Sequence, residues 1–205
     1  MTKVFEVFSV MRRLSFVLFV TILFSTHVTR ADGRMAITFV ESFVIEALEI
    51  LDGSSVSKLD RLFGNKFAVD RISKFVVGPV WRSMTSEQTS AYEEAFRPYV
   101  VNWIHRNLID HIGAVENYTI QQAVPEKRGD RLVGYTVLSS FDTSANGPTD
   151  IQWRLRIVEG QLLIVDIIVT GVSISMSQRD FFQNTMERSG GVDGLILFLK
   201  NAPSY

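Results

Sequence analysis

Two strand-like runs joined at a tight turn restrict the possible folds of this chain more than any other feature. Ile151, Trp153, Leu155 and Ile157 alternate with Gln152, Arg154 and Arg156, the period-2 pattern of a strand with one buried face. Glu159-Gly160 supplies the turn. The return run, Leu162 to Val169, is apolar on both faces except for Asp166, which predicts a central strand covered on both sides with one carboxylate set into it. A buried carboxylate needs a cation or backbone donors beside it.

The hydrophobic period changes once along the chain. Before residue 118 it is helical: Phe39, Phe43, Ala47 and Ile50 share one face of a helix, with Gly53 placed to end it. Val56, Leu59, Leu62 and Phe63 predict a second short helix, Val69 to Val77 a third, and Gly78-Pro79 breaks the run. Thr85-Ser-Glu-Gln88 has the pattern of a capping box and opens the longest helix. Tyr92, Phe96, Tyr99 and Trp103 then fall on one side of it, either as a core stripe or as the wall of an apolar cavity. Pro98 lies inside that helix and forfeits the bond to the carbonyl of Glu94. From Tyr118 the period is two, through Val133, Tyr135, Val137 and Phe141 to the two runs above. Helices, then an antiparallel meander, then closing helices give an α+β class.

The N-terminus reads as a cleaved signal peptide, residues 1–31. Arg12-Arg13 form the charged region, Leu14 to Phe24 the apolar region, and Thr29-Arg30-Ala31 the small-x-small site. The apolar region is far shorter than the ~20 residues needed to span a bilayer. Residues 32–205 are then one domain exported to the periplasm. There is no cysteine, hence no lipobox, disulfide or thiol chemistry. With 21 Lys and Arg against 22 Asp and Glu, nothing recommends nucleic acid as a partner.

No catalytic, metal or cofactor motif is present. His105 and His111 point to different sides of a helix, and Asp142 and Asp166 have no nucleophile or histidine fixed near them. G-x-S-x-G, H-E-x-x-H and a phosphate-binding glycine loop are all missing.

The run from Asp166 through Thr170-Gly171-Val172-Ser173, then Gln178-Arg179-Asp180-Phe181-Phe182, then Gly190-Gly191-Val192-Asp193-Gly194-Leu195, resembles the C-terminal signature of the MlaC family. These are periplasmic phospholipid carriers, also called toluene-tolerance or ABC-transporter auxiliary proteins, with a hopanoid-associated branch. Phe67 to Trp81 and Thr85 to Phe96 are weaker matches. The resemblance implies N-terminal helices packed on a curved, nuclear-transport-factor-like antiparallel sheet. It also implies a carrier that takes a phospholipid or hopanoid between an inner-membrane ABC transporter complex and an outer-membrane acceptor complex, without a cofactor. A ketosteroid-isomerase-like enzyme is the alternative on a similar fold.

For a lipid between the sheet and the long helix, the cavity wall should come from Tyr99, Trp103, Tyr135, Val137, Trp153 and Leu155. Asp166 and Arg179 are expected either as a structural pair or as contacts to the lipid head group, with Arg154 and Arg156 as equal candidates for the latter.

Overall fold

The computed structural model describes residues 28–52, 55–112, 115–143 and 147–202. The predicted leader core, Leu14 to Phe24, and His111's side chain lie outside the described residues. Among the described residues, seven helical segments and five strands follow the predicted order. Helices α1 (Val28–Asp52), α2 (Val56–Lys66) and α3 (Val69–Val77) lead into a 3₁₀ turn (Gly78–Ser83) and the long α4 (Ser86–Ile112). Strands β1 (Val115–Arg128), β2 (Arg131–Thr143), β3 (Gly147–Val158), β4 (Gln161–Val169) and β5 (Val172–Ser173) come next. Helices α5 (Ile174–Ser189) and α6 (Val192–Asn201) close the domain.

Three helix ends or interiors have a clear local cause. At α4 the capping box forms in both directions: Gln88 N–H donates to Thr85 Oγ1 (3.2 Å) and Thr85 N–H to Gln88 Oε1 (3.1 Å). Pro98 sits within α4, which continues past it. Helix α5 ends at Gly190, whose left-handed φ of 88° suits a residue without Cβ. Four residues on, a Cβ at Gly194 would collide with the Ser189 carbonyl, so the glycine lets α6 fold back tightly against the end of α5.

The strands form one antiparallel sheet in sequence order, β1-β2-β3-β4-β5. Bulges interrupt the β1–β2 and β3–β4 registers and curve it. One bulge corrects the expectation for β4. Arg154 pairs with Asp166 while the adjacent Leu155 pairs with Ile164, so Val165 is the extra residue. Ile164 therefore faces the core with Leu155, and Asp166 is turned to the opposite face beside Arg154. Nor is β4 central. Its second edge is closed by the two residues of β5 and by the link between α2 and α3, where Ala68 N–H donates to the Ile164 carbonyl at 2.9 Å. Capping that edge with chain rather than a full strand satisfies the Ile164 carbonyl and covers the apolar run.

The core lies between the inner sheet face and the helices. Ala36, Val40, Phe43 and Val44 of α1 meet Tyr135, Val137, Trp153 and Leu155, all buried. Phe43 packs edge-on against Trp153 at 5.4 Å, and the indole N–H donates to Ser139 Oγ at 2.8 Å, so the ring is both packed and satisfied.

Candidate functional site

The aromatic stripe of α4 meets the closing helices. Tyr92 and Phe96 are wholly enclosed and, with Tyr99, surround Phe182 of α5 at 5.6–6.5 Å. Toward the C-terminal end of α4 the packing opens. A surface cleft of about 320 Å³ is lined there by Tyr99, Trp103 and Arg106 of α4, Gln178 and Phe181 of α5, Phe198 of α6, and Ala202. Phe181 and Phe198, both partly exposed, lie 5.5 Å apart on its rim.

Polar groups enter this cleft sparingly. Tyr99 hydroxyl donates to Gln178 Oε1 at 3.2 Å. Burial pushes the Tyr99 phenol up to about 12, with the Arg106 charge acting the other way, so Tyr99 is a neutral donor at ordinary pH.

Of the six residues expected to form a cavity wall, the structure brings Tyr99 and Trp103 to the cleft and places Tyr135, Val137, Trp153 and Leu155 in the enclosed core beneath α1. The other lining residues escaped the sequence reading. A signal for one was present: Arg106 continues the spacing of Tyr92, Phe96, Tyr99 and Trp103, so a cation ends the aromatic stripe. Phe198 and Ala202 carry no such mark, because only the tight corner at Gly194 brings α6 alongside α4.

The expected Asp166–Arg179 pairing is corrected by the structure. Asp166 is buried, and its ionic partner is Arg154 on β3, at 3.5 Å. Its other contacts hold the start of α5: Ser173 Oγ donates to Oδ2 at 2.7 Å and Ser175 N–H to Oδ1 at 3.0 Å. Ser173 in turn accepts from Met176 N–H as the N-cap. A carboxylate at a helix N-terminus is also favoured by the helix dipole. Arg179, one helical turn further on, lies over the Phe75 ring at 5.2 Å. The structural role expected for Asp166 thus has a different partner and an added purpose, fixing α5 to the sheet. On the same sheet face, Arg156 pairs with Glu126 at 2.6 Å.

The fold and cleft define a class: an α+β domain with helices layered on a curved antiparallel sheet and an aromatic cleft between its long and closing helices. The chain belongs to the MlaC protein family, whose model matches residues 52–201. It is 26% identical over 134 residues to the toluene tolerance protein ttg2D of Pseudomonas putida, covering 64% of this chain and 59% of that relative's length. Its fold is similar to the phospholipid-binding protein of Ralstonia solanacearum, solved in complex with a phospholipid, with a TM-score of 0.62 at 20% identity. That match covers 79% of this chain and 93% of the other.

Proposed function

We propose that residues 32–205 form a single periplasmic domain that carries a phospholipid, following a signal peptide that ends at Ala31. The observation that carries this reading is the aromatic cleft in a chain of this family, with Tyr99 and Trp103 on its wall. The phospholipid held by the Ralstonia relative supports the ligand class. Exposing two acyl chains of about fourteen methylenes each would cost on the order of 20 kcal/mol at ~0.8 kcal/mol per CH₂. A protein that shields them removes most of that barrier without any reaction, and the lipid passes between an inner-membrane ABC transporter complex and an outer-membrane acceptor complex.

The cleft's volume is at the low end of the ~300–1,000 Å³ typical of ligand pockets, so a diacyl lipid requires further space. Tyr135, Val137, Trp153 and Leu155 enter the proposal as the inner surface that longer chains reach once the Phe43–Trp153 contact parts. The carrier reading gains over the enzyme reading because Asp166, the buried carboxylate, is engaged by Arg154 and the start of α5. A polycyclic lipid is the second reading, favoured by the four rings among the seven cleft residues.

Native mass spectrometry of the purified protein, followed by lipid extraction, tests both. A mass increment matching a diacyl phospholipid is expected. A hopanoid increment would select the second reading, and a protein with no bound lipid that also fails to take up phospholipid from vesicles would overturn the proposal.

A further inference from the structure

Where α3 and the 3₁₀ turn meet the start of α5, cations are set directly on aromatic rings. Two positions before Phe181, Arg179 points to the opposite side of α5, toward α3, and its guanidinium lies over the Phe75 ring at 5.2 Å. Lys74 Nζ lies over the Trp81 ring at 5.1 Å. Arg179 Nε is also 3.5 Å from where a Cβ of Gly78 would stand, so chain as well as ring bounds the guanidinium. No ion pair among the described residues involves Lys74 or Arg179. Met176, one turn before Arg179 on the same helix face, and Val172, just ahead of α5, extend the patch; with Phe75 they are each 40% or more exposed. Residues 69–83 and 172–181 together hold four Lys and Arg against two Asp and Glu, whereas the whole chain holds 21 against 22. The patch is thus basic in a chain that is not.

The stacking decides what this face can receive. A bilayer draws rings into its acyl boundary and leaves cations at the polar edge. Here Lys74 and Arg179 cover the ring faces and would have to lose their water along with the rings, which is costly for a charge without a partner. Carboxylates can reach the same cations without disturbing either stack, while apolar side chains meet Val172, Met176 and the ring edges. A surface ion pair is ordinarily weakened by the entropy lost in fixing a long side chain, and a stacked cation has already lost much of it. We infer that this face docks a protein segment carrying Asp or Glu side chains beside apolar ones. The cleft takes Gln178 and Phe181 from other sides of α5, so the partner can sit here while the cleft stays filled. The inference goes beyond the carrier reading and does not depend on which lipid the cleft holds.

The test places p-benzoylphenylalanine at Met176 of the full chain in the cells that make it and, for comparison, at Ile157, which is exposed on the sheet. After near-ultraviolet light, adducts are digested and their joined peptides sequenced by mass spectrometry. The Met176 adduct should be to another protein, at a segment with more Asp and Glu than Lys and Arg, and Ile157 should not give it. In Lys74→Glu and in Arg179→Glu the yield should fall roughly fivefold or more, because like charges then face each other. Lys74 is exposed and keeps the test open should Arg179→Glu fail to fold. Lipid copurifying with either variant should stay at the wild-type level, which separates docking from carrying. A lipid adduct, an adduct to a second copy of this chain, no adduct above the Ile157 control, or a yield unmoved by both charge reversals would each overturn the inference. Loss of lipid along with the adduct in a folded variant would overturn it as well, since the face would then belong to the lipid site.

Discussion

Trp153 and Trp103 are both indoles facing the helical interior, one from the sheet and one from α4, and their surroundings differ. Trp153 is enclosed by Phe43 and Phe141, and its N–H is held by Ser139. Trp103 lines an opening whose far side is Phe198 and the small Ala202, beyond the end of α6 at Asn201. Residue type does not separate the two regions. What separates them is the element opposite: α1 runs its buried face over the sheet, whereas α6 stops short of covering the end of α4. The enclosed region should answer to substitution as a core does, and the cleft as a ligand surface does.

The strongest test of that contrast is Leu155→Ala. Leu155 is wholly buried in the core cluster. Its truncation should destabilise the fold by ~2–5 kcal/mol, the range for cavity-forming changes in packed cores. Urea unfolding followed by circular dichroism reads this directly, and a loss under 1 kcal/mol (about the cost of a partly exposed site) would mean that the sheet face is loosely filled.

A smaller effect is expected from Asp166→Ala. Arg154 is 41% exposed and keeps water as a partner, so the penalty comes mainly from the Ser175 amide and Ser173 hydroxyl left without their acceptor. About 1–3 kcal/mol is expected. Asp166→Asn retains an acceptor oxygen and should recover part of the loss. Because α5 carries Gln178 and Phe181 into the cleft, lipid retention should fall along with the melting temperature. Loss of stability with undiminished lipid retention would show that the clamp on α5 does not shape the cleft.

Glu126 offers a pH test remote from the cleft. Burial raises its pKa, but hydrogen bonds from Thr136 (2.6 Å) and Arg156 outweigh it and hold the carboxyl below its ordinary 4.5. A carboxyl depressed in the folded state contributes stability above its unfolded value and loses it as pH falls through the lower folded one. Solvent screening keeps the contribution below about 1 kcal/mol. Unfolding of wild type and Glu126→Gln at neutral pH and again below the carboxylate range should show the difference narrowing in acid. A constant difference would remove the linkage.

The sequence made the element order legible because periodicity, the Thr85–Gln88 cap and the Glu159-Gly160 turn are local signals. The class of fold followed from them. Two features were not legible. The bulge at Val165 reverses which face Asp166 occupies, and nothing in an uninterrupted apolar run announces an unpaired residue; Arg154 therefore could not be singled out over Arg179. The cleft joins side chains from three helices across the corner at Gly194, a tertiary event without a periodic trace. Only its α4 wall, the stripe of Tyr99 and Trp103, could be read in advance, and there the stripe's last member, Arg106, was cationic and so fell outside a search for apolar positions.

The sharpest separation of the two regions should come from Phe198→Gln. Phe198 is 38% exposed, with Tyr99 at 6.1 Å and Phe181 at 5.5 Å as ring neighbours. Glutamine keeps the length of the side chain and the helical preference of α6. Part of this ring is packed and the glutamine stem keeps some of that contact, so its loss should lower stability by about 1 kcal/mol, well short of the loss expected for Leu155→Ala. An acyl chain lying in the cleft would instead meet an amide where it had a ring, and burying an amide against a methylene chain without a hydrogen-bond partner is unfavourable by ~1–3 kcal/mol. Lipid copurifying with the variant should drop several-fold while the protein stays folded and loses far less stability than Leu155→Ala. If the variant unfolds as Leu155→Ala is expected to, the rim is core in all but its exposure. If it folds and keeps its full lipid load, the chains enter by another path.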